Sequence, residues 1–250
     1  MILPLGDDNT GRVRTPYITW ALIAVNVLVF ALFQGFGTND VFTNALSTVP
    51  QEIRTGEDVA GPIVIEVGDQ RATLQLQPTP GSVYLTLLTS MFMHGSLMHL
   101  LGNMLFLWIF GDNIEDDLSH GRYTVFYLVT GILASLAHVV TTFMIGDNPY
   151  IPSLGASGAI SAVMGAYLVM HPHRRVRVLM FRFLTEVPGY VAVGLWFVFQ
   201  LISAFGALGL GPRGGGGVAF MAHIGGFIAG AAFVKLFAAG VPAPPRRAAW

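Results

Sequence analysis

Leu154–Ser161 reads LGASGAIS, and the run it opens carries no charged side chain before His171. The apolar stretch is expected to form a helix over about 156–171. Its first turn holds a hydroxyl, Ser157, between Gly155, Ala156 and Gly158. Ser157, Ser161 and Gly165 then fall at i, i+4 and i+8, so small side chains line one face of the helix. In lipid, where packing rather than the hydrophobic effect drives helix association, such a ridge lets a second helix approach closely.

The rest of the chain has the same character. Hydrophobic residues make up 53% of the 250 residues and charged ones 11%, against roughly 25% charged in a soluble domain. Mean hydropathy is +0.62. Uncharged runs long enough to cross a hydrocarbon core about 30 Å thick recur. Six candidate spans result, at about 16–35, 93–111, 122–144, 156–171, 188–209 and 219–239. The reading is an all-α polytopic membrane protein, a six-helix bundle over 16–239 between a polar N-terminal segment (1–15) and a C-terminal tail (240–250). The glycine-rich stretch GLGPRGGGG separates the last two spans.

Basic residues set the expected orientation, because Lys and Arg accumulate on the cytoplasmic side. With the N-terminus inside, Arg12, Arg14, Arg122, Arg174, Arg175, Arg177, Arg182, Lys235, Arg246 and Arg247 lie inside, and Arg54, Arg71 and Arg213 outside. Both termini are therefore expected in the cytoplasm, with the first span an uncleaved signal-anchor. The first outer loop, an insert at about 36–82, contains IVIEVGDQRATLQLQ, whose β-branched residues flank Gly68-Asp69. That pattern predicts a small β-hairpin.

Composition removes several chemistries. A net charge of −1 gives no footprint for nucleic acid, and the absence of cysteine removes disulfides and thiol catalysis. The acids all fall in expected loops or termini, the run GDNIEDDLSHGR among them. No Gly-x-Gly-Asp and no His-Glu-x-x-His occurs, so paired-aspartate and zincin-type intramembrane proteolysis have no candidates. No metal or other cofactor is expected.

Polar side chains inside spans are functional candidates by default. Ser157, His223, His99 and Asn103 all fall near the start of even-numbered spans, at one depth toward the outer side. His99 and Asn103 share a face at i, i+4. His223, Gly226 and Gly230 form a second small-residue ridge. If it meets the ridge of Ser157, a hydroxyl and an imidazole share an interface, as a nucleophile and its base require. Taken singly, each residue is ordinarily packing or interhelical glue.

These residues resemble the rhomboid family of intramembrane serine proteases. HGSLMHLLGN (His94–Asn103), GASG (Gly155–Gly158) and AHIGGFIAG (Ala222–Gly230) come in the family's order on its second, fourth and sixth helices. The resemblance covers about 83–239. It implies Ser157 as nucleophile, His223 as general base and Asn103 with His99 as oxyanion donors, beside Gly155. Gly158, Ser161, Gly226 and Gly230 are then packing positions around the site. It further implies a dyad without an acid, transmembrane protein substrates within the bilayer, and a mobile fifth helix with bulky Trp196, Phe197 and Phe199. Two family features are missing. Ser161 stands where many members have tyrosine, and SVYLTLLTSMF carries no Trp-Arg pair. The compact layout points to a bacterial plasma membrane. A catalytically silent client-binding relative and a transporter are the competing readings; both residues of the dyad are present and no internal repeat is visible.

Overall fold

The computed structural model describes residues 2–67, 70–180, 182–205 and 220–242. It is a bundle of apolar helices with a small sheet at one end and an irregular insert at the other. Strand β1 (Ile2–Asp7) leads into helix α1 (Tyr17–Leu28), which runs on as a wider π turn to Phe33. The insert holds the short helices α2 (Asp40–Ala45) and α3 (Pro50–Thr55). Strands β2 (Gly61–Val67) and β3 (Gln70–Leu76) and the single turn α4 (Thr86–Thr89) follow. The long elements come next: α5 (Leu97–Leu118), α6 (His120–Ile145), α7 (Ser157–Met170), β4 (Arg175–Met180), β5 (Phe183–Pro188), α8 (Gly189–Phe205) and α9 (Phe220–Ala238).

Among the described residues, three helices, α5, α6 and α9, are long and apolar enough to cross a membrane by length and composition; α1, α7 and α8 are shorter apolar helices. This is the make-up of a helical polytopic membrane protein. In such a solvent every backbone group must find an internal partner, which favours closed helices. Strands β2 and β3 pair antiparallel, from Gly61 with Leu76 to Val67 with Gln70; the Gly68-Asp69 turn and the glycine-rich stretch before α9 lie outside the described residues.

Helix α7 is the axis of the bundle. Every residue from Gly158 to Tyr167 is buried, the pattern of a helix apolar all round. Its most extensive partner is α9. A Cβ on Gly226 would fall on the carbonyl of Gly158, one on Gly230 on that of Ala162, and one on Gly165 on that of Phe227. The surface of α7 that meets α9 is therefore Gly158, Ala162 and Gly165. Of the expected ridge of Ser157, Ser161 and Gly165, Gly165 lies against α9 and Ser157 meets it through His223, while Ser161 lines a cavity. The positions where a Cβ would strike backbone across this contact are Gly226 and Gly230 on α9 and Gly165 on α7; at Gly158 a Cβ would strike Ala134 of α6.

The all-α expectation also needs correction. β1, β4 and β5 form an antiparallel sheet in the order β1-β4-β5, with Ile2 opposite Met180 and Arg175 opposite Pro188. Val176 and Val178 are buried between exposed Arg175 and Arg177, so the alternation of a half-buried strand was present in the sequence.

A third correction concerns the acidic run. Helix α5 does not stop near 111 but continues to Leu118, and only Ser119, at φ +66°, separates it from α6. Asp112, Asn113, Glu115 and Asp116 are consequently buried in helix rather than spread through a loop. They hold the N-terminal segment. Glu115 accepts from Ile18 N (2.9 Å), Thr19 N (2.7 Å) and Thr19 Oγ1 (2.7 Å), capping α1. Asp116 accepts from Arg14 N at 2.6 Å, and Arg12 pairs with Asp112. Asn113 Nδ2 donates to Asp7 (2.7 Å), as does the Tyr167 hydroxyl (2.9 Å). Burial pushes the Asp7 carboxyl above the usual range. His120 and His171 pair with Glu115 and Asp117. A helix start leaves several N–H groups without partners, and here a carboxylate from another helix supplies them.

Candidate active site

At the end of the bundle opposite the sheet, α5, α7, α8 and α9 surround a cavity of about 450 Å³. Ser157 is the first residue of α7. The segment before it is fastened on both sides. Thr48 and Ser153 exchange backbone hydrogen bonds of 2.9 and 2.8 Å, and Gly155 N donates to Ser90 O at 2.8 Å. Thr48 Oγ1 lies 2.9 Å from both Ser90 Oγ and Thr86 O. The insert thus fixes the approach to Ser157, a tie that nothing in the spacing of the sequence announces.

Gly155 has φ +124°, a conformation that L side chains rarely adopt. A Cβ there would lie 2.9 Å from His99 Nε2 and 3.6 Å from Ser157 Oγ. The bare α-carbon of Gly155 thereby admits the ring of His99, drawn in beside the hydroxyl.

The central pair is Ser157 and His223. His223 Nε2 lies 2.7 Å from Ser157 Oγ, across 66 residues of sequence. On the other side of the ring, His223 Nδ1 lies 2.8 Å from Gln200 Oε1 of α8. An amide oxygen only accepts, so Nδ1 carries the proton, and the bare Nε2 of the neutral ring accepts from the Ser157 hydroxyl. An imidazole in that tautomer can take the hydroxyl proton as the oxygen attacks an electrophile. Both side chains are half-buried, dry enough to hold the pair and open enough to the cavity for a reactant.

Asn103 lines the same cavity, one turn along α5 from His99. Its Nδ2 donates to His94 Nε2 at 2.9 Å, and since an amide nitrogen has two N–H bonds, one remains for a second acceptor. His94 is wholly buried. Its backbone is clamped by Gln34, which accepts from His94 N (3.0 Å) and donates to His94 O (2.9 Å). The start of α7 adds the positive end of a helix dipole. Two side-chain donors and a helix N-terminus therefore converge beside a hydroxyl paired with an imidazole. Such a set can accommodate a negative oxygen forming next to Ser157.

The remaining positions also have places. Ser161 Oγ donates back to Ser157 O at 2.6 Å, so this residue supports the helix start rather than packing against the His223 ring. Gly158, Gly226 and Gly230 make the α7–α9 contact described above.

A family model described as Rhomboid domain matches residues 81–240. The chain belongs to the rhomboid family. Among rhomboid relatives, Rhomboid protein 1, mitochondrial, of Saccharomyces cerevisiae is 32% identical over 146 residues, 58% of this chain and 40% of that protein. Presenilin-associated rhomboid-like protein, mitochondrial, of Homo sapiens is 34% identical over 103 residues, 41% of this chain and 27% of that one. Rhomboid protease GluP of Bacillus subtilis is 42% identical over 82 residues, 33% of this chain and 15% of that one. The matched segments span less than half of each rhomboid relative.

Sequence reasoning missed three polar residues of this site. Gln200 and Gln34 are the clearest, each a carboxamide in or ending an apolar run, and the rule that flagged Asn103 applied equally to them. Ser90, the anchor of Gly155, carried no such signal, because its part is played by a backbone carbonyl.

Proposed function

We propose that this chain is a serine endopeptidase acting within the membrane, with Ser157 as nucleophile and His223 as general base. The observation that carries the proposal is the 2.7 Å contact between His223 Nε2 and Ser157 Oγ. Membership of the rhomboid family and the likeness to the rhomboid protease GluP support it.

In this reading Ser157 Oγ attacks a peptide carbonyl carbon while its proton passes to His223 Nε2. The tetrahedral intermediate places its oxyanion toward Asn103, His99 and the first turn of α7. Collapse breaks the C–N bond, and the imidazolium returns the proton to the departing amine. Water then enters through the cavity, gives a proton to His223 and attacks the acyl-enzyme; its oxygen becomes the new carboxylate and Ser157 recovers its hydrogen. No carboxylate is hydrogen-bonded to His223 among the described residues; the neutral Gln200 amide holds Nδ1 instead. A transient imidazolium is then less stabilised than beside an aspartate, and slow turnover is expected.

The proposed arrangement is six spans, α1, α5, α6, α7, α8 and α9, with both termini cytoplasmic and the cavity toward the outer side. Substrates are transmembrane segments of other proteins, cut near the outer boundary. Two of the three named relatives are mitochondrial and cover more of this chain than the Bacillus subtilis one, which speaks against the expected bacterial plasma membrane; the location supported is a membrane that the chain crosses several times.

The test is cleavage of a single-span test substrate in liposomes by the wild type, Ser157→Ala and His223→Ala. Cleavage by the wild type alone, with both variants folded, is the expected result. Cleavage by Ser157→Ala at the wild-type rate would overturn the assignment. Absence of cleavage together with absence of fluorophosphonate labelling would favour a client-binding protein.

A further inference from the structure

Helix α8 reaches the site through one polar side chain, Gln200. It is buried at 6% exposure in a helix whose neighbours Phe199 and Ile202 stand 63% and 64% exposed. Gln200 lines the Ser157 cavity and also a second cavity of about 560 Å³ that runs between α5, α7 and α8 toward Leu3 and Val178 of the sheet. Gln200 therefore stands on the wall between two open spaces, with Oε1 2.8 Å from His223 Nδ1. Trp196, one turn earlier, brings its ring centroid to 6.1 Å from that of His223.

We infer that Gln200 is the positioning residue of the dyad, holding His223 in the tautomer with Nδ1 protonated and Nε2 free to accept from Ser157, and that the place of α8 decides whether the base is competent. The inference rests on the reading of Ser157 and His223 as a catalytic pair. A neutral imidazole has two tautomers of similar energy, and only one of them is a base toward Ser157. Ser161 directs its hydroxyl hydrogen to Ser157 O and not to His223. A hydrogen bond of 2.8 Å does not survive a shift of about 1 Å, because bonds beyond roughly 3.5 Å are no longer made. A displacement of α8 by an occupant of either cavity would release the ring. The alternative is that the amide only satisfies its own buried polarity.

The experiment uses the full chain in phospholipid nanodiscs, labelled with ¹⁵N-histidine, and a single-span test substrate. Wild-type His223 is expected to show a protonated Nδ1. Gln200→Met keeps the volume and removes the acceptor. It should give a mixture of tautomers and lower kcat at least about tenfold with KM unchanged, against the roughly 10⁴-fold loss that a wrongly held tautomer can cause. Gln200→Glu restores an acceptor and should recover both readouts. A Gln200→Met protein with wild-type kcat and an unchanged tautomer would overturn the inference. So would a wild-type His223 protonated on Nε2, a result that needs no variant to fold. Failure of the catalytic reading shows separately, as wild-type protein that neither cleaves nor labels at Ser157.

Discussion

The α-carbon of Gly226 in α9 faces the backbone carbonyl of Gly158 in α7, the residue directly after Ser157. Three residues along α9 from His223, this contact sets how far the imidazole stands from the hydroxyl. The obstacle to any side chain is backbone, which cannot rotate away as a flexible side chain can. Gly226→Ala is therefore expected to push α9 outward, with a loss of about 1–3 kcal/mol of stability from overpacking. The separation of Ser157 and His223 would grow by about 1 Å, and cleavage should fall roughly 100-fold. Fluorophosphonate labelling rate and thermal unfolding in detergent measure the two effects. A Gly226→Ala protein as active as the wild type would show that α9 is not placed by this contact.

Asn103 tests the stabilisation of the oxyanion. One of its N–H bonds is committed to His94 at 2.9 Å, and the other is free for an oxyanion beside Ser157. Asn103→Ala is expected to lower kcat by about 100- to 1,000-fold, as removal of one oxyanion donor does elsewhere, roughly 2.7–4 kcal/mol in the transition state. Substrate KM should change little. A loss expressed mainly in KM would instead make Asn103 a substrate-binding group.

What could be read from the sequence follows from what sequence patterns record. Long apolar runs and rare polar residues within them are local signals, so the helices and the set Ser157, His223, His99 and Asn103 were visible. That α9 lies on Gly158 and Ala162 as well as on Ser157 and Gly165 was not marked by the spacing, since Ser157 and Gly158 each begin an i, i+4 series. The end of α5 was misread for a different reason. Charge density at 112–117 looks like a solvated loop, yet Glu115 and Asp116 accept from backbone N–H groups about a hundred positions away, and Asp112 and Asp117 pair with the side chains of Arg12 and His171. Gln200 was legible by the same rule that found Asn103 but belonged to a helix read for bulk. The tie from Thr48 and Ser90 to the Ser157 segment is long-range pairing through backbone atoms, and no residue type marks it.

Glu115 tests the reading of that buried acidic end. It accepts three hydrogen bonds from Ile18 and Thr19 at 2.7–2.9 Å and is itself wholly buried. Glu115→Ala leaves the first N–H groups of α1 without partners, and hydrogen bonds to a charged group contribute about 1.5–3 kcal/mol. A loss of about 3 kcal/mol or more is expected, read as a lower unfolding temperature in detergent. Thr19→Ala, which removes only the hydroxyl contact, should cost about 1 kcal/mol. Equal effects of the two substitutions would mean that the cap on α1 comes from elsewhere.

Glu52 gives the insert a dependence on pH. Its carboxyl lies buried on α3, and desolvation raises its pKa to about 7, with the Val59 N–H lowering it and the Asp58 charge raising it. The folded state thus binds the proton more tightly than the unfolded chain, whose carboxyl titrates near 4.5. The stabilising contribution is complete below about 4.5, declines between the two values, and is gone once the pH passes about 7. Hydrogen exchange of the amides in α3 and the following loop should therefore accelerate from pH 5 to pH 8 beyond its intrinsic pH dependence. Glu52→Gln, which stays neutral, should remove that excess. Because Thr48, two residues before α3, holds Ser153, loosening of α3 should also slow labelling of Ser157 at pH 8 relative to the Gln variant. An excess that persists in Glu52→Gln would assign the pH dependence to another group.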